Sequence, residues 1–266
     1  MSYIITGNGS AAKRHVSALN AFEGHNYAII ASLTTQHQED VLSLVKSGFK
    51  GKCVVEKPMM VSTKPDFPIY VGYQLRFHPK IQELKQRING LNIKAVSIYA
   101  GQAIDLWKGS YHKSAANGGG VLNDYSHELD LVQYVFGKIK NAKGKLGYVK
   151  GIESEATATI TCATEHCSKV IMYLNYLSNP PRREMLITTT KGDIFANYRE
   201  LPDNLTELMH EDILNDGGIA CTFDEGLRVD NIIREIKTSN LELQLKSTGA
   251  DNHQQNTNQQ LKKAKI

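Results

Sequence analysis

Apolar residues in the first part of the chain recur in two alternating patterns. Short apolar runs at Tyr3–Thr6, Asn26–Leu33 and Lys52–Val55 are typical of buried parallel strands. Between them, residues 11–22 and the segment from about Thr34 to Gly48 carry apolar side chains at helical spacing. This strand–helix alternation is the βαβαβ order of a doubly wound parallel sheet.

A different pattern follows a fourth strand predicted at Ile69–Tyr73. Residues 59–68, before it, hold two prolines and no helical period. Helices are predicted at 79–90, 121–136, 205–214 and 223–238, and strands at 93–100, 155–163, 169–177, 184–190 and 194–198. The alternation in these strands indicates an open, mostly antiparallel sheet with helices on one face.

The fold class is therefore α/β followed by α+β. We expect a shortened Rossmann domain over residues 1–75 and an α+β domain for substrate binding and oligomerisation over 76–240. Residues 241–266 are polar and rich in Asn, Gln and Lys, which predicts a disordered tail.

Composition excludes several classes of protein. The net charge of +4 arises partly from lysines in the tail, and no basic patch interleaved with aromatic residues indicates a nucleic-acid partner. The four cysteines are scattered in apolar contexts, as expected of buried free thiols in a reducing cytoplasm. No signal peptide, membrane span or metal-ligand pattern is evident. We expect a cytoplasmic protein without a membrane partner or a metal.

The first motif is the turn Gly7-Asn8-Gly9-Ser10-Ala11-Ala12, which fits G-x-G-x-x-G/A between a strand and a helix. Glycines there allow a tight turn and a close approach of phosphate, and the helix N-terminus favours an anion. A merely structural turn is the alternative. The acid that normally follows at the end of the next strand is missing, because Tyr27, Ala28 and Ile29 stand there.

The second motif, Glu56-Lys57-Pro58, follows a predicted parallel strand at the edge where such sheets bind ligands. A lysine there can hydrogen-bond a hydroxyl that is being oxidised, and its pKa falls if it is partly desolvated. A surface lysine at a strand end is the alternative.

The third motif is GGGVLNDYSHELDLVQYVFG at residues 118–137. Asp124 and His127 are three residues apart, so one helix would present both on one face, with Asp130 extending the polar stripe. An imidazole held by a carboxylate keeps one tautomer and can accept a proton near neutral pH. The alternative is a helix-capping arrangement with a satisfied histidine.

Together these motifs resemble, in order and spacing, the glucose–fructose oxidoreductase/inositol dehydrogenase (Gfo/Idh/MocA) family of NAD(P)-dependent oxidoreductases. The matching stretches are GNGSAAKRH (7–15), IIASLTTQHQEDVLSLVKSG (29–48), VVEKPM (54–59), VGYQLRFHP (71–79), GGGVLNDYSHELDLVQYVFG (118–137) and FDEGLRVDNIIREIKTS (223–239). The spelling DYSHELD is most similar to members from bacterial surface-sugar pathways.

The resemblance implies a role for each matching residue. Lys57 would contact the reacting hydroxyl, His127 would be the general base, and Asp124 would orient it, although D-x-x-H here replaces the more usual D-x-x-x-H. The implied cofactor contacts, to NAD or NADP, are Gly7, Asn8, Gly9, Ser10, Ala11, Ala12, Ser32, Leu33, Thr34, His37, Glu56 and Lys57. The implied substrate contacts are Arg76, Asp105, Trp107, Tyr111, Asn123, Asp124 and His127.

The chain departs from the family pattern at two gaps. One removes a strand–helix–strand segment after the first helix, including the acid that binds the adenosine ribose. The sheet would keep strands 1, 4 and 5 of the usual order as neighbours, with strand 1 exposed as a new edge. The other gap, after Pro58, replaces a helix, so we predict an extended crossover that leaves one sheet face poorly covered.

The predicted function is hydride transfer between a nicotinamide cofactor and a carbinol or carbonyl carbon of a sugar or sugar nucleotide. A cofactor-free family member that binds sugar or assembles with a partner is the alternative. A homo-oligomer through the second sheet is implied by the resemblance alone.

Overall fold

The computed structural model describes residues 2–19, 26–106 and 111–247. Within these residues the strands form two sheets. The first contains β1 (Ser2–Thr6), β2 (Asn26–Ile30), β3 (Lys52–Val55), β4 (Ile69–Val71) and β11 (Cys221–Thr222). The second contains β5 (Ile93–Gly101), β6 (Lys140–Gly147), β7 (Thr157–Ala163), β8 (Val170–Asn175), β9 (Arg182–Thr189) and β10 (Gly192–Asn197).

The helices are α1 (Ser10–Leu19), α2 (His37–Lys46), α3 (Pro79–Arg87), α4 (Val121–Asp124), α5 (Ser126–Phe136), α6 (Leu205–Leu214) and α7 (Phe223–Ser247). The helix predicted at 121–136 is thus two helices, because Tyr125 leaves the helical conformation between them. The tail prediction is wrong over 241–247, where α7 continues. The remaining tail, 248–266, lies outside the described residues.

The first sheet has the order β1-β2-β3-β4-β11, parallel except for β11. The predicted adjacency of the retained strands is confirmed, with β1 at the edge. Strand β11 was not predicted: it is two residues long and comes from the far end of the chain to pair with β4. The domain boundary at 75/76 stays a prediction.

The extended crossover over residues 56–68 is confirmed, but the prediction that it leaves a sheet face poorly covered is wrong. Met59, Val61 and Phe67, all within the crossover, are at most 4% exposed. Helix α7 completes the cover, since a Cβ at Gly226 would lie 2.5 Å from Val71. Apolar side chains of the crossover thus replace the missing helix.

The second sheet has the order β10-β9-β5-β8-β7-β6 and is antiparallel except for the β5–β8 pair. The predicted open, mostly antiparallel sheet is confirmed. Its helical face is covered by α5, which is buried along nearly its whole length, while Ile171, Leu186 and Phe195 are exposed on the opposite face. Strand β6 was missed because its sequence, KNAKGKLG, is polar, as suits an exposed edge strand.

Helix α7 connects the two sheets. Its N-terminal part contacts β4 and the crossover, where Asp230 accepts the N–H of Met60 at 2.6 Å. Its C-terminal part packs on β6: Ile236 lies against Gly144, and the Asn240 amide bonds both Gly144 and Leu146. No helix in the described part of the chain is long and apolar enough to cross a membrane.

Candidate active site

The Gly7 turn has the shape that a pyrophosphate needs. Gly7 adopts φ +88°, and a Cβ there would lie 2.2 Å from the carbonyl oxygen of Ala31, so only glycine fits. A Cβ at Gly9 would meet nothing within 4 Å, so the space beside that residue is open. Helix α1 begins at Ser10, with Gly7 to Ser10 exposed and Ala12 buried against the core. The predicted turn is therefore present and accessible.

The residues after β2 match the cofactor prediction only in part. Leu33 is exposed and Thr34 lies beside Gly118, but the Ser32 hydroxyl donates to Asp40. His37 is 1% exposed, and its ring nitrogens lie 3.1–3.3 Å from backbone carbonyls of Ser32, Pro58 and Met59. The imidazole of His37 thus holds the chain after Lys57, and its contact with a cofactor stays a prediction.

Lys57 extends from the end of β3 to the α4 segment. Its Nζ donates to the carbonyl oxygen of Asp124 at 2.9 Å and lies 3.5 Å from that of Asn123. Loss of hydration lowers the pKa of the Lys57 ammonium, against the opposing charges of Asp124 and Glu56. The side chain stays partly exposed, so a hydrogen-bond donor is available at the surface of the site.

His127 lies in the first turn of α5 and is 8% exposed. Burial, followed by the charges of Lys57 and Arg183, holds the pKa of His127 well below its usual value, so the imidazole is neutral near pH 7. Its ring packs edge-on against Tyr73 at 5.5 Å, and Nδ1 has no hydrogen-bond partner among the described residues.

Asp124 does not orient His127, contrary to the prediction. Its carboxylate is hydrogen-bonded by the Tyr176 hydroxyl and by Nδ1 of His112, the latter at 2.7 Å. The physical reason is the break at Tyr125, which ends α4 at Asp124 and removes the shared helical face. His112 and Tyr176 were missed by sequence reasoning, since neither lies in a motif.

Arg76 is buried and paired inside the protein, and its role as a substrate contact stays a prediction. Its guanidinium, 2% exposed, forms a bidentate pair with Asp130 at 2.7 and 2.8 Å, and also contacts Glu225 at 3.2 Å. Arg76 thereby connects the segment after β4 to α5 and α7, and its charge is neutralised by these two carboxylates.

The other predicted substrate residues differ in how far they are exposed to solvent. Asn123 is 5% exposed, and its side chain bonds the Gly118 carbonyl and Lys237. Asp105 is exposed, 3.5 Å from Lys113, and Tyr111 is 39% exposed. Trp107 lies outside the described residues.

Glu56 ends a buried chain of hydrogen bonds that sequence reasoning also missed. Its Oε1 lies 3.1 Å from Nε2 of His15, whose Nδ1 lies 2.8 Å from Nε2 of His210. Nδ1 of His210 is 2.8 Å from the Tyr27 hydroxyl. Burial lowers the pKa of His210 to about 3 with help from the charge of His15, so this imidazole is neutral.

The same contacts set the charge of Glu56. Burial alone would raise its pKa, but the hydrogen bond and charge of His15, with Arg14 at 3.6 Å and Lys57, hold it well below its usual range. Glu56 also accepts the backbone N–H of Lys57 at 3.1 Å. The ionised carboxylate thus fixes the turn that presents Lys57.

The depressed pKa of Glu56 predicts an acid-sensitive contribution to stability. That contribution is present above the pKa of the unfolded chain, about 4.3, and is lost as the pH falls toward the folded-state value. We expect Glu56→Gln to lower the melting temperature near neutral pH, with the difference from the wild type shrinking on acidification to about pH 3. Thermal melts over this range check it.

The exposed Glu153→Gln serves as the matched control, because it removes a carboxylate without a buried partner. Its melting temperature should follow the wild type at every pH. A difference between Glu56→Gln and the wild type that is constant with pH would contradict the ionised state of Glu56.

The parallel first sheet, the glycine turn and the open second sheet define a Rossmann-type dehydrogenase architecture, in which Lys57 from the end of β3 contacts the segment that leads into α5 and His127. Residues 92–195 match the family model of the GFO/IDH/MocA C-terminal domain. Residues 92–195 are thus similar to the C-terminal domain of this oxidoreductase family, and the resemblance indicated by the motifs is confirmed.

Solved structures share the fold over most of the chain. The WlbA dehydrogenase from Bordetella pertussis, in complex with NADH and UDP-GlcNAcA, is 16% identical, with a TM-score of 0.73 over 90% of this chain and 95% of that one. GenD2 from gentamicin A biosynthesis, in complex with NAD, is 13% identical, with a TM-score of 0.76 over 90% of this chain and 93% of that one. A myo-inositol dehydrogenase from Corynebacterium glutamicum is 14% identical, with a TM-score of 0.69 over 90% of this chain and 95% of that one. No curated protein sequence matches the chain.

Proposed function

We propose that the protein is an NAD(P)-dependent dehydrogenase or reductase that acts on a secondary alcohol or carbonyl carbon of a sugar or sugar nucleotide. The observation that carries the proposal is the convergence of Lys57, from the end of β3, on the α4–α5 segment that holds His127. A donor for the substrate oxygen and a neutral base are thereby brought to one site.

The residues of the site divide the chemistry between them. The Lys57 ammonium donates a hydrogen bond to the reacting oxygen and stabilises negative charge that develops there. The neutral His127 imidazole takes the hydroxyl proton during oxidation or returns it during reduction. Asp124 positions the His112 and Tyr176 side chains and, through its carbonyl oxygen, the Lys57 ammonium. The nicotinamide cofactor supplies the hydride chemistry when bound.

The cofactor residues support binding of one half of a dinucleotide more than the other. The Gly7–Ala12 turn and the start of α1 fit the pyrophosphate, and Glu56 and Lys57 lie beside the expected nicotinamide position. No acid follows β2, where Ala31 and Ser32 stand in place of a ribose ligand. Losing a charged hydrogen-bond pair to a ribose costs roughly 1.5–3 kcal/mol, which is one to two orders of magnitude in affinity.

Fluorescence titration with NADH and NADPH tests the cofactor step. We expect saturable binding of at least one of them, with a dissociation constant about 10- to 100-fold weaker than that of a family member with a complete ribose site. A Gly9→Glu variant, which places a carboxylate beside the phosphate position, should abolish binding without unfolding the protein.

Turnover is then followed as NADH absorbance with UDP-GlcNAcA, UDP-GlcNAc and myo-inositol as first substrates. No binding of either cofactor at millimolar concentration would overturn the enzymatic proposal. If a cofactor binds but none of the three compounds is turned over, these three are excluded as substrates and the proposed cofactor binding stands. The proposed homo-oligomer is checked separately, by light scattering.

A further inference from the structure

Arg183 has an unusual position near the proposed site. It stands at the start of β9, opposite Ala100 of β5, on the helical face of the second sheet. Its neighbour Arg182 lies on the opposite face, over the Tyr99 ring and paired with Glu184. Only Arg183 therefore faces α5, where His127 and Glu128 lie.

The Arg183 guanidinium is only partly satisfied by the protein. Its Nε pairs with Oε1 of Glu128 at 2.7 Å, and its plane lies 5.6 Å from the Tyr125 ring. The guanidinium is 16% exposed, whereas Glu128 is fully buried. Neither Nη1 nor Nη2 hydrogen-bonds any of the described residues. No atom of Arg183 is among the fully buried, unpartnered side-chain atoms of the described residues, so water or a ligand can reach both amino groups.

The ammonium of Lys57 is a second cation at this location, which favours an anion there. Arg183 is held at the first turn of α5 by Glu128, the residue that follows His127. Among the described residues, the hydrogen-bond partners of the Lys57 ammonium are backbone carbonyls. The site therefore brings together the cationic groups of Lys57 and Arg183, and Arg183 keeps two amino groups besides the Nε that contacts Glu128.

We propose that Arg183 binds a carboxylate of the substrate through Nη1 and Nη2, with Glu128 holding its Nε, and that the protein accordingly acts on acidic sugars or acidic sugar nucleotides. This inference rests on the proposed function and narrows its substrate class. A planar guanidinium recognises a carboxylate bidentately, whereas a hydroxymethyl group in the same place offers one weaker acceptor.

Matched probes test the inference. UDP-GlcNAcA carries a carboxylate where UDP-GlcNAc carries a hydroxymethyl group, and binding of each is measured by calorimetry with saturating NADH. We expect the wild type to bind the acid about 10- to 100-fold more tightly, the range for a charge-assisted bidentate contact. Equal affinities, or binding of the neutral sugar nucleotide alone, would overturn the assignment.

Variants of Arg183 and its neighbours test which residue causes the preference for the acidic sugar nucleotide. Arg183→Lys, which keeps the charge but loses the fork, should lose most of the preference for the acid while binding UDP-GlcNAc as the wild type does. Arg183→Gln leaves Glu128 buried without a partner and can unfold the protein, so the double variant Arg183→Gln/Glu128→Gln, which removes both charges, is measured as well. Arg182→Gln is the matched control and should keep the full preference.

NADH fluorescence separates this inference from the function on which it rests. If NADH binds and both sugar nucleotides bind equally, or neither binds, the acidic substrate class is wrong and the cofactor proposal stands. If NADH itself does not bind, the proposed function fails. A preference that survives in Arg183→Lys and in the double variant would assign the carboxylate to another residue.

Discussion

Lys57→Met is expected to lower kcat/KM by about a thousandfold while leaving the fold and cofactor binding nearly unchanged. Methionine keeps the length of the side chain and removes the ammonium group. Lys57 is partly exposed and its hydrogen bond to the Asp124 carbonyl is only partly buried, so water can replace the lost hydrogen bond. Turnover of the sugar substrate, NADH titration and thermal melting are measured on the same preparation.

The matched control is Lys64→Met in the same crossover, where an exposed lysine pairs with exposed Asp224. This variant should retain the wild-type kcat. If Lys57→Met retained more than a tenth of the wild-type kcat/KM, Lys57 would be a surface lysine at a strand end rather than a catalytic residue. A loss confined to KM would instead assign Lys57 to substrate binding alone.

Arg76→Met is expected to cost about 3–5 kcal/mol of stability, because it leaves the buried Asp130 side chain without its bidentate partner. For a chain of this size that corresponds to a fall in melting temperature of roughly 10 °C. The residual turnover, measured per mole of folded protein below the melting transition, should stay close to that of the wild type, since Arg76 is turned into the core.

Two variants calibrate this result. Arg87→Met breaks the exposed Arg87–Glu83 pair and should cost less than about 1 kcal/mol. Arg76→Met/Asp130→Leu removes both buried charges and should recover part of the lost stability. If Arg76→Met melted like the wild type but lost turnover, the implied role of Arg76 in substrate binding would be supported.

The fold was predicted well wherever a short run of residues is sufficient to determine its own secondary structure. The strand Lys52–Val55, with the sequence KCVV, was predicted with its observed bounds, and so was the helix at Leu205–Leu214. Errors occurred where the signal comes from elsewhere. Strand β11 exists only because β4 offers it a partner, and β6 has the polar composition of an edge.

Only the site residues at strand ends could be predicted from the sequence. Lys57 follows a parallel strand, and its place at the sheet edge follows from topology. The partner of Asp124 could not be predicted in this way, because His112 belongs to the segment between β5 and α4 and the break at Tyr125 is a tertiary effect. Likewise His15 and His210 are 195 residues apart, and no local pattern joins them.

The placement of β11 and α7 has a consequence for how the chain is made. The first sheet is begun by residues 2–6, but its last strand, and the helix that covers its crossover, come from residues 221 onward. On the ribosome, Val71 must therefore wait for most of the protein to be synthesised before α7 shields its side chain from water. The N-terminal sheet is begun first and completed last, and until Cys221 arrives its β4 edge is open to pairing with another nascent chain.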